Sequence, residues 1–112
     1  MMATTEQKQN GELWSSKTIA TSETTSIIRI PEINFDYGVI EVIVTSGTAT
    51  LEYTLSTKKD LDEGAAVFNS YADGNGVTTF TNLIKVEDTF ARGVSAFRLT
   101  AIAGTSTMVV KI

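Results

Sequence analysis

The sequence reads as an all-β protein: an antiparallel two-sheet β-sandwich of about eight strands, Ig-like or jelly-roll, preceded by a flexible N-terminal arm. Three observations predict this. About one residue in six is Thr, and Val and Ile are frequent, a bias that suits pleated, half-buried surfaces. Several segments alternate apolar and polar residues with period two, and none sustains a helical period. Short turn signals separate these segments at the spacing of a sandwich or barrel.

Residues 1–12 are polar, lack periodicity and contain Asn10-Gly11, so they form the arm. Residues 13–112 form a single domain, since 112 residues leave no room for two. The clearest strand is Ala49 to Leu55, with Ala49, Leu51, Tyr53 and Leu55 on one face and Thr50, Glu52 and Thr54 on the other. Val39 to Val44 is apolar on both faces except at Glu41. Such a strand is central in its sheet, or its second face is covered by another chain. The turn Thr45-Ser46-Gly47-Thr48 joins these two strands.

The same logic repeats near the end: Phe97 to Ala103, a turn at Ala103-Gly104-Thr105-Ser106, then Met108 to Ile112. Trp14 to Ala20 and Ser26 to Ile30 complete the first part of the domain, the second stopped by Pro31, which cannot donate to a ladder. Ala66 to Tyr71 and Val77 to Val86 are strands flanking Asp73-Gly74-Asn75-Gly76, the strongest turn signal in the chain. Lys58 to Gly64 is a charged loop with room for one helical turn.

Composition excludes several chemistries. There is no Cys and no His, which removes disulfides, thiolate catalysis and the commonest general base and transition-metal ligand. The net charge is -4, and only Lys58 and Lys59 are adjacent among nine basic residues, so nucleic acid is not the expected partner. No apolar run has the roughly 18 residues needed to span a bilayer. The first ten residues carry no apolar stretch of a secretory signal. The expectation is a soluble product made in the cytoplasm, with no membrane partner and no cofactor.

Three sets of residues are candidate sites. Asp60, Asp62 and Glu63 are close in sequence, but catalytic carboxylates face each other across a cleft with one proton affinity raised by burial. Acids in a polar loop beside Lys58 and Lys59 read as a solvated surface, so no catalytic residue is expected. Asp73 and Asn75 are weak calcium candidates, two oxygen-bearing side chains two residues apart, without the later bidentate acid of a helix-loop-helix site. A plain hairpin turn is the competing reading. Trp14, Tyr37 and Tyr71 are candidate ligand platforms, since aromatic faces stack on apolar sugar faces. Trp14 equally suits capping the open end of a sandwich core, and Tyr37 sits in a loop entering the central strand.

The outward strand positions are mainly Thr and Ser with few charges, a surface suited to packing against copies of the same chain as a homo-oligomer. The run Tyr37 to Val44, the Gly turn, and Ala49 to Thr57, together with Phe97 to Ile112, resemble small bacteriophage virion proteins. In those proteins a β-sandwich strand ends in an Asp-Gly turn and the chain closes with an Arg-Leu-Thr hairpin; Asp73-Gly74 and Arg98-Leu99-Thr100 occupy comparable places. The resemblance covers residues 37–112 and carries over no site residue. It implies a non-enzymatic structural component of a phage particle: a capsid decoration protein, a head-fibre base or a tail accessory protein. Its partners would be other capsid or tail proteins, and it would reside in the virion after synthesis in the host bacterial cytoplasm. The alternative expectation is a carbohydrate-binding module or the receptor-binding β-sandwich of a phage tail. If the arm contributes to assembly, deleting residues 1–11 will lower particle occupancy in co-sedimentation and leave the thermal midpoint of the domain unchanged.

Overall fold

A computed structural model describes residues 13–20, 24–30, 37–82, 84–91 and 93–111, with backbone path and pairing alone for residues 13–20 and 24. The arm at residues 1–12 and the Pro31 segment lie outside these. The elements run β1 (Leu13–Ala20), β2 (Thr24–Arg29), β3 (Tyr37–Thr54), α1 (Lys58–Asp62), β4 (Asn69–Ser70), β5 (Thr79–Thr81), β6 (Ile84–Ala91) and β7 (Ala96–Lys111). All the strands belong to one antiparallel hydrogen-bonded sheet.

Two long strands carry the sheet. β3 and β7 pair along nearly their whole lengths, from Val39 opposite Lys111 to Thr54 opposite Ala96. β1 covers the outer edge of the second half of β7, and β2 covers its first half. On the far side of β3, β6 pairs with residues 37–44, and β5 and β4 pair with residues 48–53. Apart from β4, the strands end or bend along one line, near Ser46 and Gly104. The register between β3 and β7 shifts at that line, between Val44 and Ser46 and between Thr48 and Ala49.

These bulges change which residues face inward. In β3 the buried set passes from Ile40, Val42 and Val44 to Ala49 and Leu51, from even to odd positions. In β7 it passes from Phe97, Leu99 and Ala101 to Met108 and Val110, from odd to even. An extra residue at a bulge advances the period-two alternation by one and bends the strand. The two halves of the bent sheet bury their inner residues in one cluster, which also takes in Ile28, Phe80 and Phe90. Phe90 of β6 meets Phe97 of β7 edge to face with ring centroids 5.0 Å apart, a contact between the two halves.

Glycine makes the bend. Gly47 and Gly104 are direct partners across the β3–β7 ladder, with φ of +79° and +78°. A Cβ on Gly47 would lie 1.9 Å from the Ala103 carbonyl oxygen, and one on Gly104 would lie 2.2 Å from that of Ser46. Asn82, between β5 and β6, clamps the third strand of the corner. Its amide nitrogen donates to the Gly47 carbonyl at 2.9 Å, and its Oδ1 accepts from the Gly47 amide at 2.7 Å.

Several expected elements are corrected here. The segments at 45–48 and 103–106 are corners inside continuous strands, not hairpin turns. A Gly at positive φ followed by β-formers suits both a turn and a bulge, and only the shared partner strand separates them. The expected strand over 66–71 is reduced to Asn69–Ser70, and that over 77–86 divides at Asn82 into β5 and β6. Asp73-Gly74-Asn75-Gly76 is not a hairpin: β4 and β5 lie end to end along the same edge of β3, and the tetrapeptide is an excursion between them. Tyr37 opens β3 rather than sitting in a loop. The expected helical turn is present as α1, whose N-cap Thr57 accepts from the Asp60 amide at 3.2 Å.

The corner makes a sharp prediction. Gly47→Ala or Gly104→Ala will cost about 3–5 kcal/mol, because left-handed backbone and a backbone clash act together. Gly64→Ala, at φ +71° in open space, will cost about 1 kcal/mol by the backbone term alone. Urea denaturation midpoints separate the two cases.

Candidate functional site

The outer face of the half-sheet formed by β2, the first half of β7, the second half of β3, β4 and β5 is organised in rows. Thr25, Thr100, Thr50 and Thr79 stand in direct register across four strands. The Thr25 and Thr100 hydroxyls are 3.2 Å apart, in hydrogen-bond contact. The next row holds Ile27, Arg98, Glu52 and Ser70. Here Arg98 donates through Nε and Nη2 to the two oxygens of Glu52, at 2.9 and 2.8 Å, and its guanidinium lies 4.0 Å from the Phe68 ring centroid. A bidentate fork beneath an aromatic ring fixes a planar group strongly. Arg98, part of the Arg-Leu-Thr run, thus ties β7 to β3 and holds the strand-free segment at Phe68 against the sheet.

The opposite edge is built around Asp88 of β6. Its register position opposite Ile40 places it between the inward-directed Val86 and Phe90. Asp88 Oδ2 accepts from the Tyr71 hydroxyl at 2.6 Å, and Oδ1 accepts from the Thr89 amide at 2.8 Å. Tyr71 is itself anchored by its amide, which donates to the Leu51 carbonyl at 2.8 Å, and its ring packs on the core. This hydrogen bond clasps the β4–β5 excursion, which lines the second half of β3, to the strand lining the first half. The Tyr71 hydroxyl holds the Asp88 carboxyl below the usual carboxylate range, with the Thr89 amide adding to the effect. Burial first, and then the bond to Asp88, push the Tyr71 hydroxyl well above its ordinary value.

A further charged group sits on the outer face of β3 and β6. Glu41 and Glu87 are direct cross-strand partners, an arrangement that is destabilising for like charges. Lys85 lies beside both, its Nζ 3.3 Å from Glu41 Oε2 and 4.0 Å from Glu87 Oε2.

The expected site residues do not converge. Asp62 accepts a hydrogen bond from Arg29 of β2, whose guanidinium holds that carboxyl below the usual range, while Asp60 lies in the first turn of α1. Asp73 Oδ1 accepts from the Asn75 and Val77 amides at 2.8 and 2.9 Å, so this oxygen closes its own turn. No group of three acidic side chains able to hold a metal occurs among the described residues. Tyr37 is 64% exposed at one end of β3, whereas Tyr71 is committed to Asp88. The backbone of Trp14 pairs with Val110 in β1; its side chain lies outside the described set. Sequence reasoning missed Asp88, Glu87 and the Arg98–Glu52 fork because each depends on which strands are neighbours. No helix among the described residues is long and apolar enough to cross a membrane.

The Tyr71–Asp88 clasp sets a pH signature. A depressed carboxyl stabilises the fold above its unfolded value near 4, and the contribution disappears as pH falls through the folded value. Tyr71→Phe will therefore cost about 1 kcal/mol near neutrality, a hydrogen bond to a charge discounted for its exposure. The difference between wild type and variant will shrink towards zero in acid, as followed by urea unfolding from pH 7 down to pH 3.

No protein-family model and no curated protein matches the chain. Among solved structures it is similar to an RmlC-like cupin protein from Desulfovibrio desulfuricans, with 10% identity, 92% of this chain and 74% of that chain covered, and a TM-score of 0.44. It is also similar to Drosophila melanogaster CENP-C bound to CAL1, at 14% identity, 95% and 67% coverage and a TM-score of 0.42. An oxalate oxidase matches at 14% identity over 88% of this chain and 40% of its own, with a TM-score of 0.39. Likeness at this level assigns no activity, ligand or partner to the chain.

Proposed function

We propose that this protein is a non-enzymatic structural component of a bacteriophage particle, a decoration or accessory protein that docks on the capsid or tail lattice. The observation that carries the reading is the distribution of exposed apolar side chains. Ile27, Tyr37, Leu55, Val67, Val77, Ile84 and Ile102 all face solvent, and they are spread over both halves of the sheet and its ends. A small-molecule site gathers apolar groups into one concavity; a lattice protein meets several neighbours and needs contacts on several sides. The threonine row of the outer face and the resemblance of residues 37–112 to small virion proteins support the same reading.

The finer architecture belongs to this proposal. With each half of β3 and β7 counted separately, the chain has eight segments in two four-stranded arrays. One is β1, late β7, early β3 and β6; the other is β2, early β7, late β3 and the β4–β5 pair. We read these as the two layers of a jelly roll folded at the glycine corner. Capsid proteins, lectins and cupins all use that architecture, so the fold alone does not choose among them.

The most exposed aliphatic pair supplies the test. Leu55 and Val67 are 63% and 68% exposed. They are held in neighbouring segments by the Thr54 hydroxyl donating to the Val67 carbonyl at 2.7 Å and the Val67 amide donating to Ser56 Oγ at 3.1 Å. Replacing both with Ser will lower occupancy on purified particles while shifting stability by less than about 0.5 kcal/mol each, as expected of exposed sites. Failure of the native chain to co-sediment with particles would overturn the proposal.

A further inference from the structure

We infer that β6 is a self-pairing edge: two copies of this chain join their sheets through antiparallel β6–β6 pairing, with Lys85 of each copy opposite Glu87 of the other. Among the described residues β6 pairs with β3 alone, and no other described strand takes up the main-chain donors and acceptors on its other edge. Such an edge invites another strand.

The clasp tells which amides point outward. The Thr89 amide donates to Asp88 Oδ1, so it is not an amide that β3 takes up. Main-chain groups alternate between the two edges of a strand. The amides of Lys85 and Glu87 therefore share the free edge with Thr89. A second β6 running antiparallel on that edge must place members of this set opposite one another.

Few registers satisfy that rule, and most are penalised. Glu87 opposite Glu87 sets like charges face to face and also calls on the Thr89 amide, opposite Lys85. Lys85 opposite Lys85 is again a like-charge pair. Glu87 opposite Thr89 needs the amide that Asp88 already holds. The remaining register sets Lys85 opposite Glu87 twice, related by a two-fold axis, with Val86 facing its own copy and Ile84 facing Asp88. Each Lys85–Glu87 pair exchanges main-chain hydrogen bonds and carries opposite charges on one face. Asp88 thereby acts as a register selector, since it withdraws the Thr89 amide that two of the three competing registers require, and like charge disfavours the third.

This pairing also accounts for a feature that the single chain leaves costly. Glu41 and Glu87 oppose each other across β3 and β6 with one Lys85 between them. In the dimer, Glu87 gains the second copy's Lys85 on its other side, so the Glu41–Glu87 acid pair acquires a second base beside it. An isologous contact of this kind closes on itself and stops at two chains.

The test is a charge swap on the full chain, read by sedimentation equilibrium. The native protein is expected to be a dimer. Lys85→Glu and Glu87→Lys, each alone, will weaken association roughly tenfold by turning two attractive pairs into repulsive ones. The double variant will restore it. Glu87→Lys also removes the repulsion with Glu41, so its monomer should melt higher while its dimer weakens; the opposite signs separate an interface effect from a folding defect, even if Lys85→Glu does not fold. A native chain that stays monomeric at its solubility limit, single variants that associate normally, or a double variant that fails to recover would each overturn the inference. The interface is a property of the chain alone, so absence of particle binding would leave it standing.

Discussion

The main-chain contact between Gly47 and Gly104 is the constraint on which the rest of this fold depends. Two long antiparallel strands can line both halves of a core only if they turn together at one point. There, two backbones approach so closely that neither position tolerates a Cβ. The bulges beside that point advance the side-chain alternation by one residue, which keeps the apolar set of each strand on the concave side before and after the bend. Ser46 adds a hydrogen bond from the Thr105 amide at 3.2 Å, and Asn82 extends the corner to the third strand. With the corner in place, Phe90 and Phe97 meet; without it, the two halves of the sheet would not share one core.

A sheet bent in this way leaves edges, and the side chains manage them differently. Near the first half of β3, the edge is held by Tyr71 and Asp88, a polar clasp between a loop and a strand that share no ladder. Over the second half, the outer face is fixed by the Arg98–Glu52 fork under Phe68. Both devices are electrostatic, and both join segments distant in sequence. Their worth comes from geometry, since exposed ion pairs of ordinary geometry contribute little. The Arg98 fork is bidentate and partly buried, and the Asp88 carboxylate is engaged on both oxygens.

Part of the site was legible before any coordinates. Alternation gave the inward residues Ala49 and Leu51 of β3 and Phe97, Leu99, Ala101, Met108 and Val110 of β7, but it grouped Leu55 with the inward set and Thr54 with the outward one, whereas Thr54 is buried and Leu55 is exposed where the strand ends. Composition left few catalytic options, and the charged stretch Lys58 to Gly64 left room for the one helical turn that α1 supplies. The turn signals were real as well, but their meaning was not local. A glycine between two alternating segments predicts a change of direction; whether that change reverses the strand or bends it is decided by the partner strand, which in both cases continues alongside. Asp73 shows the same limit, because an Asx turn looks alike in a hairpin and in an excursion along an edge.

The sequence by itself determined the all-β class, the apolar face of the segments that alternate clearly and the positions where the chain must deviate, because period-two patterning and backbone sterics act within a few residues. Tertiary structure alone decided that Glu41 faces Glu87, that Arg98 reaches Glu52, that four threonines form one row, and that Tyr71 closes on Asp88. These pairings join residues from 17 to 75 positions apart in the chain, and no local propensity encodes which strands become neighbours. The outward arrangement of charge along β6, and with it the surface offered to a second molecule, appears only once the strands have been assembled.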